Sequence, residues 1–232
     1  MKLSRILSNQ NGVSRKHANA LVAAGRVTVN GNVCREGSMD VDRFATVAVD
    51  NNIIQQGTEA LYLMLHKPAG YLSATEDKVH PTVLDLIAPD LRAGLHIAGR
   101  LDRATTGLLI LTNHGTWSRG LTEPRVRIPK VYRVTTAHPI SPETAARFAE
   151  GIWFEYEQLT TSPAHIEPID ATNARLTIYE GRYHQVKRMF HAVGNRVVSL
   201  HRERMGAIAL DQTLDPGQYR TLTAQETQSV PG

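Results

Sequence analysis

Apolar residues near the amino end recur at the spacing of one helix face. Leu3, Ile6 and Leu7 lie at positions i, i+3 and i+4, which predicts a short helix with one apolar stripe. Gly12 follows, and glycine readily adopts the left-handed backbone that ends a helix. The first element of the chain is therefore predicted to be an amphipathic helix.

A second helix and a hairpin follow. Ser14 stands at an N-cap position, residues 18–24 favour a helix, and Gly25 stands where a left-handed C-cap is expected. Residues 27–29 alternate as in a strand, and Asn30-Gly31 is a strong signal for a two-residue hairpin turn. The order helix, turn, helix and hairpin predicts a small amino-terminal domain.

The segment 51–57 is rich in amide side chains and ends in a glycine. Such a composition is typical of a connection between domains. It predicts a linker here, and it divides the chain into a first domain, residues 1–58, and a second domain, residues 59–232.

Strand-like runs outnumber helices in the second domain. One helix is predicted to start at Ser141-Pro142-Glu143, where a capping residue, a proline and an acid follow each other. Another is predicted from about Tyr183 to Val193, ended by Gly194. The fold class is therefore α+β, with a mixed, mostly antiparallel sheet flanked by helices. The predicted strands are residues 61–65, 108–112, 131–136, 175–179 and 197–200.

Charge is distributed unevenly along this globular composition. The net charge is +4, but residues 1–35 hold six lysines and arginines and no acid. Four of these cations are predicted to face outward and bind RNA: Arg5, Arg15, Lys16 and Arg26. A solvated charged face is the simpler explanation of such a run, whereas the missing acids favour a polyanionic partner.

Cysteine usage and hydropathy bear on location. Cys34 is the one cysteine, so neither an internal disulfide nor a cysteine-based zinc site is expected. The longest aliphatic run, residues 108–111, is far too short to span a bilayer, and polar residues interrupt the first residues of the chain. A cytoplasmic protein without a membrane partner is predicted.

One carboxylate lies between two arginines in a loop framed by glycines. Asp102 is flanked by Arg100 and Arg103, and the loop runs from Gly99 to Gly107. Nearby cations favour the charged form of an acid, so Asp102 is expected to be ionised at neutral pH. An aspartate that only caps a turn or pairs with an arginine would give the same local pattern.

Two more basic segments, 125–133 and 180–189, occur in the second domain. The second of these enters the predicted helix at 183–193. Four apolar residues of that helix share one face and are expected in the core: Val186, Met189, Phe190 and Val193. The opposite face forms a cationic stripe of His184, Lys187, Arg188 and His191, whose histidines are expected at the polar surface rather than on a metal.

These motifs carry a resemblance to two families. Residues 13–16 and 25–31 resemble the S4 RNA-binding domain. The loop motifs 99–102 and 106–109 resemble the active-site motif of pseudouridine synthases. Residues 66–71, 130–132, 181–189 and 200–202 are similar to its companion motifs. The S4-like module and the 184–189 version of the helix motif are most similar to the branch that acts on small-subunit (16S) ribosomal RNA.

Two positions depart from the family pattern. His66 stands where relatives usually have asparagine, and Pro129 precedes Lys130 where an acid is common. Neither position touches the aspartate motif. The departures therefore bear on the branch and its RNA contacts rather than on the reaction.

The resemblance implies a role for each motif residue. Asp102 would be the nucleophile, Tyr132 would stack on a flipped uracil, and Lys187 would pair with the aspartate, with Arg188 as the neighbouring alternative. Arg100 would help to flip or orient the base. Further RNA contacts are implied for Lys67, Arg103, Lys130, Arg182, His184, Gln185, Arg188 and Arg202.

The resemblance also implies the substrate. The reaction transfers no group from outside, so no cofactor and no metal are expected. The partner would be 16S ribosomal RNA or a partly assembled small subunit, with uridine 516 as the target. The protein is expected to be a monomer.

Other functions are compatible with parts of the sequence. An enzyme of the same branch could act on 23S ribosomal RNA, and a non-catalytic ribosome-assembly protein would share the basic segments. A metal-dependent nuclease usually needs several clustered carboxylates, and Glu180 is the nearest candidate partner of Asp102. A glycosidase needs two flanking carboxylates, and no second one is evident.

Overall fold

The computed structural model describes residues 1–231. These residues fall into two compact units, Met1–Ala60 and Leu61–Gly232. The division lies two residues beyond the 58/59 boundary predicted from the sequence. Within the described range, no helix is both long enough and apolar enough to cross a membrane.

The first unit contains the predicted helices and hairpin. Leu3, Ile6 and Leu7 are buried, the Ser14 hydroxyl accepts a hydrogen bond from the His17 amide, and Asn30 takes the left-handed backbone of a tight hairpin. The elements are α1 (Leu3–Ser8), α2 (Arg15–Ala23), β1 (Val27–Val29), β2 (Asn32–Val33), β3 (Val47–Val49) and β4 (Asn52–Gln55).

The predicted linker at 51–57 is wrong. Most of it is β4, which pairs antiparallel with β3 and completes a sheet of order β2-β1-β3-β4. The Gln55 side-chain amide donates to the backbone carbonyls of Asp42 and Ala45. The Gln55 side chain thus bonds within the unit. Composition alone does not distinguish such a strand from a solvated, amide-rich linker.

The second unit confirms the predicted mixed, mostly antiparallel sheet. Its described strands form a nine-stranded sheet with the main order β11-β12-β8-β13-β7-β5-β15, in which β13 and β7 are parallel and the other pairs are antiparallel. Strand β6 pairs with β7, β14 with β13, and β9 with β10 in a separate hairpin. The strands are β5 (Tyr62–Lys67), β6 (His96–Ala98), β7 (Thr106–Thr112), β8 (Lys130–Thr136), β9 (Trp153–Phe154), β10 (Leu159–Thr160), β11 (His165–Pro168), β12 (Asn173–Ile178), β13 (Val197–Met205), β14 (Ile208–Ala209) and β15 (Tyr219–Thr221).

Helices cover both faces of the central strands. Leu109 and Leu111 face one core, which includes Phe148 and Phe190 in edge-to-face contact. Leu108 and Ile110 face the other core. Because both faces are covered, β7 is apolar over residues 107–111 instead of alternating. The helices are α3 (Gly115–Thr122), α4 (Thr144–Glu150), α5 (Gln185–Ala192) and α6 (Ala224–Gln228).

Two helices of the second unit start later than predicted. Helix α4 begins at Thr144, because the Ser141 hydroxyl accepts a hydrogen bond from the Glu143 amide in a turn that precedes the helix. Helix α5 begins at Gln185, and His184 before it has a left-handed backbone with φ of 49°. Tyr183 therefore lies outside the helix.

Candidate active site

The loop that carries Asp102 connects β6 to β7, and both glycines that frame it are required. Gly99 and Gly107 have φ of 88° and 103°, which disfavours any residue with a side chain. A Cβ at Gly107 would lie 2.3 Å from the carbonyl oxygen of Arg202. The loop is further closed by a hydrogen bond of 3.0 Å from the Thr105 amide to the Asp102 carbonyl.

Lys67 holds the carboxyl-terminal half of this loop from inside. Its fully buried Nζ donates to the carbonyls of Pro68, Arg103 and Thr105 at 3.0, 3.2 and 2.8 Å. Burial lowers the pKa of Lys67 to about 8, although the negative charge of Asp102 acts to raise it. The predicted RNA contact of Lys67 is therefore wrong, because all three N–H donors serve the loop.

Arg202 holds the other half of the loop. The side chain is 1% exposed and donates to the carbonyls of Leu108 and Gly99 at 2.8 Å each. A longer contact of 3.5 Å reaches the carbonyl of Arg100. This residue cannot reach RNA as predicted, since its guanidinium is buried against the backbone on both sides of Asp102.

A serine that the sequence did not single out also binds the loop. The Ser73 hydroxyl donates to the Leu101 carbonyl at 2.7 Å and accepts from the Leu101 amide at 3.0 Å. Nearby, Arg103 is exposed and donates to the Gly70 carbonyl at 3.1 Å. The segment that follows β5 thus fixes the residues on either side of Asp102.

The Asp102 carboxylate is partly accessible and lies against α5. Its side chain is 26% exposed, with one oxygen 3.3 Å from the Lys187 Nζ and the other 3.4 Å from the His184 Nε2. The structure thus pairs Asp102 with Lys187, and Arg188 is not its partner. Arg100 is exposed on the same loop.

A buried polar network fixes the start of α5. The Gln185 side chain accepts a hydrogen bond from the Arg182 amide and donates to Glu180. Glu180 also accepts from the Ser162 amide and forms an ion pair of 3.1 Å with Arg182. Gln185 is buried, so its predicted RNA contact is wrong, and Arg182 is already paired within the protein.

Arg188 joins α5 to the β9–β10 hairpin. Its guanidinium donates to both oxygens of Glu157 at 2.6 Å and lies 3.7 Å from the centre of the Phe154 ring. The cationic stripe predicted for this helix is therefore partly neutralised.

A groove of about 300 Å³ runs along the cationic side of α5. It is lined by His184, Lys187, Arg188, His191, Asn195, Arg196 and Val197.

Tyr132 and Lys130 are more buried than their predicted roles suggest. Tyr132 is 7% exposed and lies in a row across four strands with Lys67, Gly107 and Arg202. Lys130 is buried and donates to the Ile128 carbonyl, and burial lowers its pKa to about 8. Lys130 is as buried as Tyr132, at 7% exposure, and its RNA contact stays a prediction.

The cations of the first unit lie at its surface. Arg5, Arg15 and Lys16 are exposed. Arg26 is exposed too, but its guanidinium pairs with Asp50, an acid outside the acid-free segment 1–35. Arg26 thus faces outward as predicted, but its charge is compensated within the unit, and its RNA contact stays a prediction.

His66, one of the two positions that depart from the family pattern, contacts the segment between β14 and β15. Its Nδ1 lies 2.7 Å from the Leu214 carbonyl, and its ring packs edge-on against His201 at 5.6 Å. Burial lowers the pKa of His201. Across residues 1–231, no three His, Cys, Asp or Glu side chains form a group that could hold a metal ion.

Comparison with known proteins identifies the family of the chain. A family model described as RNA pseudouridylate synthase matches residues 61–192, and one described as S4 domain matches residues 1–47. The chain belongs to the RNA pseudouridylate synthase family. It is therefore an isomerase, and the alternatives of a non-catalytic assembly protein, a nuclease and a glycosidase are wrong.

Relatives of known name cover the whole chain. It is 53% identical to ribosomal small subunit pseudouridine synthase A of Pseudomonas aeruginosa, over 99% of this chain and 100% of that one. It is 47% identical to the protein of the same name from Escherichia coli strain K12, with the same coverage. A crystal structure of a pseudouridylate synthase is similar to both units, with a TM-score of 0.73, 38% identity and full coverage of both chains.

Proposed function

We propose that this enzyme converts one uridine of 16S ribosomal RNA, uridine 516, to pseudouridine, with Asp102 as the nucleophile. The names of the relatives that are 47 and 53% identical over nearly the whole chain support the small-subunit RNA as substrate. The observation that carries the role of Asp102 is its position. It is a partly exposed carboxylate on a loop held from both sides, within 3.4 Å of two basic side chains.

The proposed chemistry needs no outside reactant. The bond between N1 of uracil and C1′ of ribose breaks, the base rotates, and a bond forms between C5 and C1′. The proton on C5 is released and N1 takes up a proton, so atoms and charge balance. Asp102 supplies the nucleophile, at C1′ or at the ring, and Lys187 and His184 orient its two oxygens.

The target nucleotide must leave its stack to meet Asp102. Unstacking a base costs a few kcal/mol, and stacking on an aromatic side chain returns about 1–3 kcal/mol. Arg100 is exposed beside Asp102 and is proposed to hold the opened strand. Tyr132 is proposed to stack on the uracil through the small part of its ring that is accessible.

The first test replaces the carboxylate. Asp102→Asn keeps the size of the side chain and removes its charge. It should abolish isomerisation while RNA affinity stays within about threefold of wild type, because the phosphate contacts that dominate affinity are untouched. The measurements are tritium release from 16S RNA labelled at uracil C5, and filter binding of the same RNA. Turnover by this variant would remove Asp102 from the nucleophilic role.

The second test identifies the uridine. Small-subunit RNA from cells that lack this protein should contain an unmodified uridine at 516, which the wild-type gene restores and the Asp102→Asn gene does not. Loss of a pseudouridine from 23S RNA instead would assign the enzyme to the other substrate of the branch.

Purified protein should act as a monomer, and a partly assembled small subunit should be a better substrate than free RNA.

A further inference from the structure

Tyr183 forms an exposed aromatic surface next to the reacting carboxylate. Its ring is stacked on the ring of His184, with centroids 3.9 Å apart and an angle of 19° between the planes. His184 in turn lies 3.4 Å from Asp102. The Tyr183 residue is 73% exposed, so the ring is open to solvent away from the histidine.

The backbone is bent in a way that produces this stack. His184 has a left-handed backbone, which is unfavourable for a residue other than glycine and concentrates at functional sites. Consecutive side chains in an extended segment point to opposite sides, whereas here the two rings are stacked on each other. Burial does not explain the arrangement, since Tyr183 contributes nothing to the cores.

Cations lie beside the stacked pair. Lys187, His191 and Arg196 line the groove that begins at His184. Tyr183 directly precedes His184, the first residue of this groove. A cationic groove with an exposed ring beside it suits a nucleic acid strand, whose phosphates follow the cations while a base stacks on the ring. An acidic protein surface would use the cations but not the flat aromatic surface.

We propose that the open face of Tyr183 stacks on an RNA base that neighbours the target uridine. Tyr183 would then be a substrate-binding residue that holds the strand while the target base is turned toward Asp102. This inference rests on the proposed function. It concerns a different nucleotide from the one assigned to Tyr132.

The test measures RNA binding in the Asp102→Asn background, where no turnover occurs. Tyr183→Ala should weaken affinity for a small-subunit RNA fragment by about 5- to 150-fold, the range that corresponds to the removal of one base stack. Tyr183→Phe keeps the ring and should bind within about twofold of the parent. Tyr156→Ala is the matched control, because Tyr156 is 93% exposed on the β9–β10 turn and outside the groove, and it should leave affinity unchanged.

A fluorescent base locates the contact. 2-Aminopurine placed on either side of the target uridine should be quenched by the parent and by Tyr183→Phe, but not by Tyr183→Ala. Unchanged affinity and quenching in Tyr183→Ala would overturn the proposal. So would a loss of kcat with unchanged KM in the otherwise wild-type enzyme, because that pattern assigns Tyr183 to orienting His184.

The two proposals fail in different ways. Turnover of the same RNA fragment by wild-type protein reports the proposed function, whereas the Tyr183 comparison reads binding alone. Thermal unfolding of each variant should match the parent, since Tyr183 is exposed.

Discussion

At the scale of single residues, two buried cations act on backbone carbonyls instead of RNA. Lys67 and Arg202 approach the Asp102 loop from β5 and β13, and their donors are taken up by the carbonyls around it. A buried charge is tolerated where its hydrogen bonds are complete. The position of the carboxylate is thus set before any substrate arrives, as preorganised sites require.

The burial of Lys130 predicts how the free energy of unfolding depends on pH. Its pKa is about 8 in the folded protein and near 10.5 when the chain unfolds. Between those values the unfolded state binds the proton and the folded state does not, so the contribution of Lys130 to stability rises with pH. The free energy of unfolding of wild type minus that of Lys130→Met should therefore increase by about 3 kcal/mol between pH 8 and 10.5.

Urea denaturation at a series of pH values measures this difference. Lys67 is present in both proteins, so its own titration cancels. Lys78→Met is the control, because Lys78 is exposed, and its difference from wild type should not change with pH. A flat difference for Lys130→Met would show that Lys130 does not lose its proton in this range.

At the scale of elements, helix α5 is fixed at its start and along its side. Glu180 and Gln185 anchor the first turn, and the pairing of Arg188 with Glu157 joins the helix to the β9–β10 hairpin. The helix carries Lys187, whose Nζ must stay within reach of Asp102. The distance between Lys187 and Asp102 therefore depends on how other side chains anchor α5.

Removing the anchor should affect stability and rate together. Glu180→Ala leaves the Gln185 amide and the Ser162 N–H without their acceptor, so the free energy of unfolding should fall by about 1–3 kcal/mol. We expect kcat to fall by at least tenfold with a smaller change in KM, because Lys187 is displaced. Denaturation and steady-state tritium release measure both, and Glu150→Ala, at an exposed position of α4, should change neither. Wild-type kcat in Glu180→Ala would contradict the positioning role.

At the scale of the whole molecule, the proposed function combines a general attraction to RNA with one local chemical site. The first unit presents exposed cations and the second unit contains the carboxylate loop. Charges attract the phosphate backbone irrespective of sequence, and their effect weakens as salt increases. Affinity and catalysis should therefore be separable by substitution.

Salt dependence tests this division. Changing Arg5, Arg15 and Lys16 to glutamine should make the plot of log affinity against log salt shallower by about 2, because each phosphate that is no longer neutralised reduces the slope by about 0.7–0.9. The value of kcat should not change, since none of the three is in the unit that holds Asp102. Arg26→Gln is the control and should change the slope by less than the about 0.7–0.9 expected for one lost phosphate contact, because Arg26 is already paired with Asp50. Equal slopes for the triple variant and wild type would exclude these cations from the RNA interface.

The sequence by itself determined the features that depend on neighbouring residues. The Ser14 cap, the Asn30-Gly31 turn, the apolar face of α5 and the glycines around Asp102 follow from local backbone and side-chain preferences, and the structure contains each of them. The family motifs also indicated the loop and the helix that meet at Asp102.

Only the tertiary structure decided which polar residues are buried. Lys67, Lys130, Gln185 and Arg202 lie in basic or polar motifs that look like RNA contacts, yet each is enclosed when strands and helices distant in sequence pack together. For the same reason, the sequence did not predict the strand at 52–55 or the approach of His184 to Asp102. A local pattern specifies what a side chain can bond to, whereas pairing between distant segments specifies what is actually within reach.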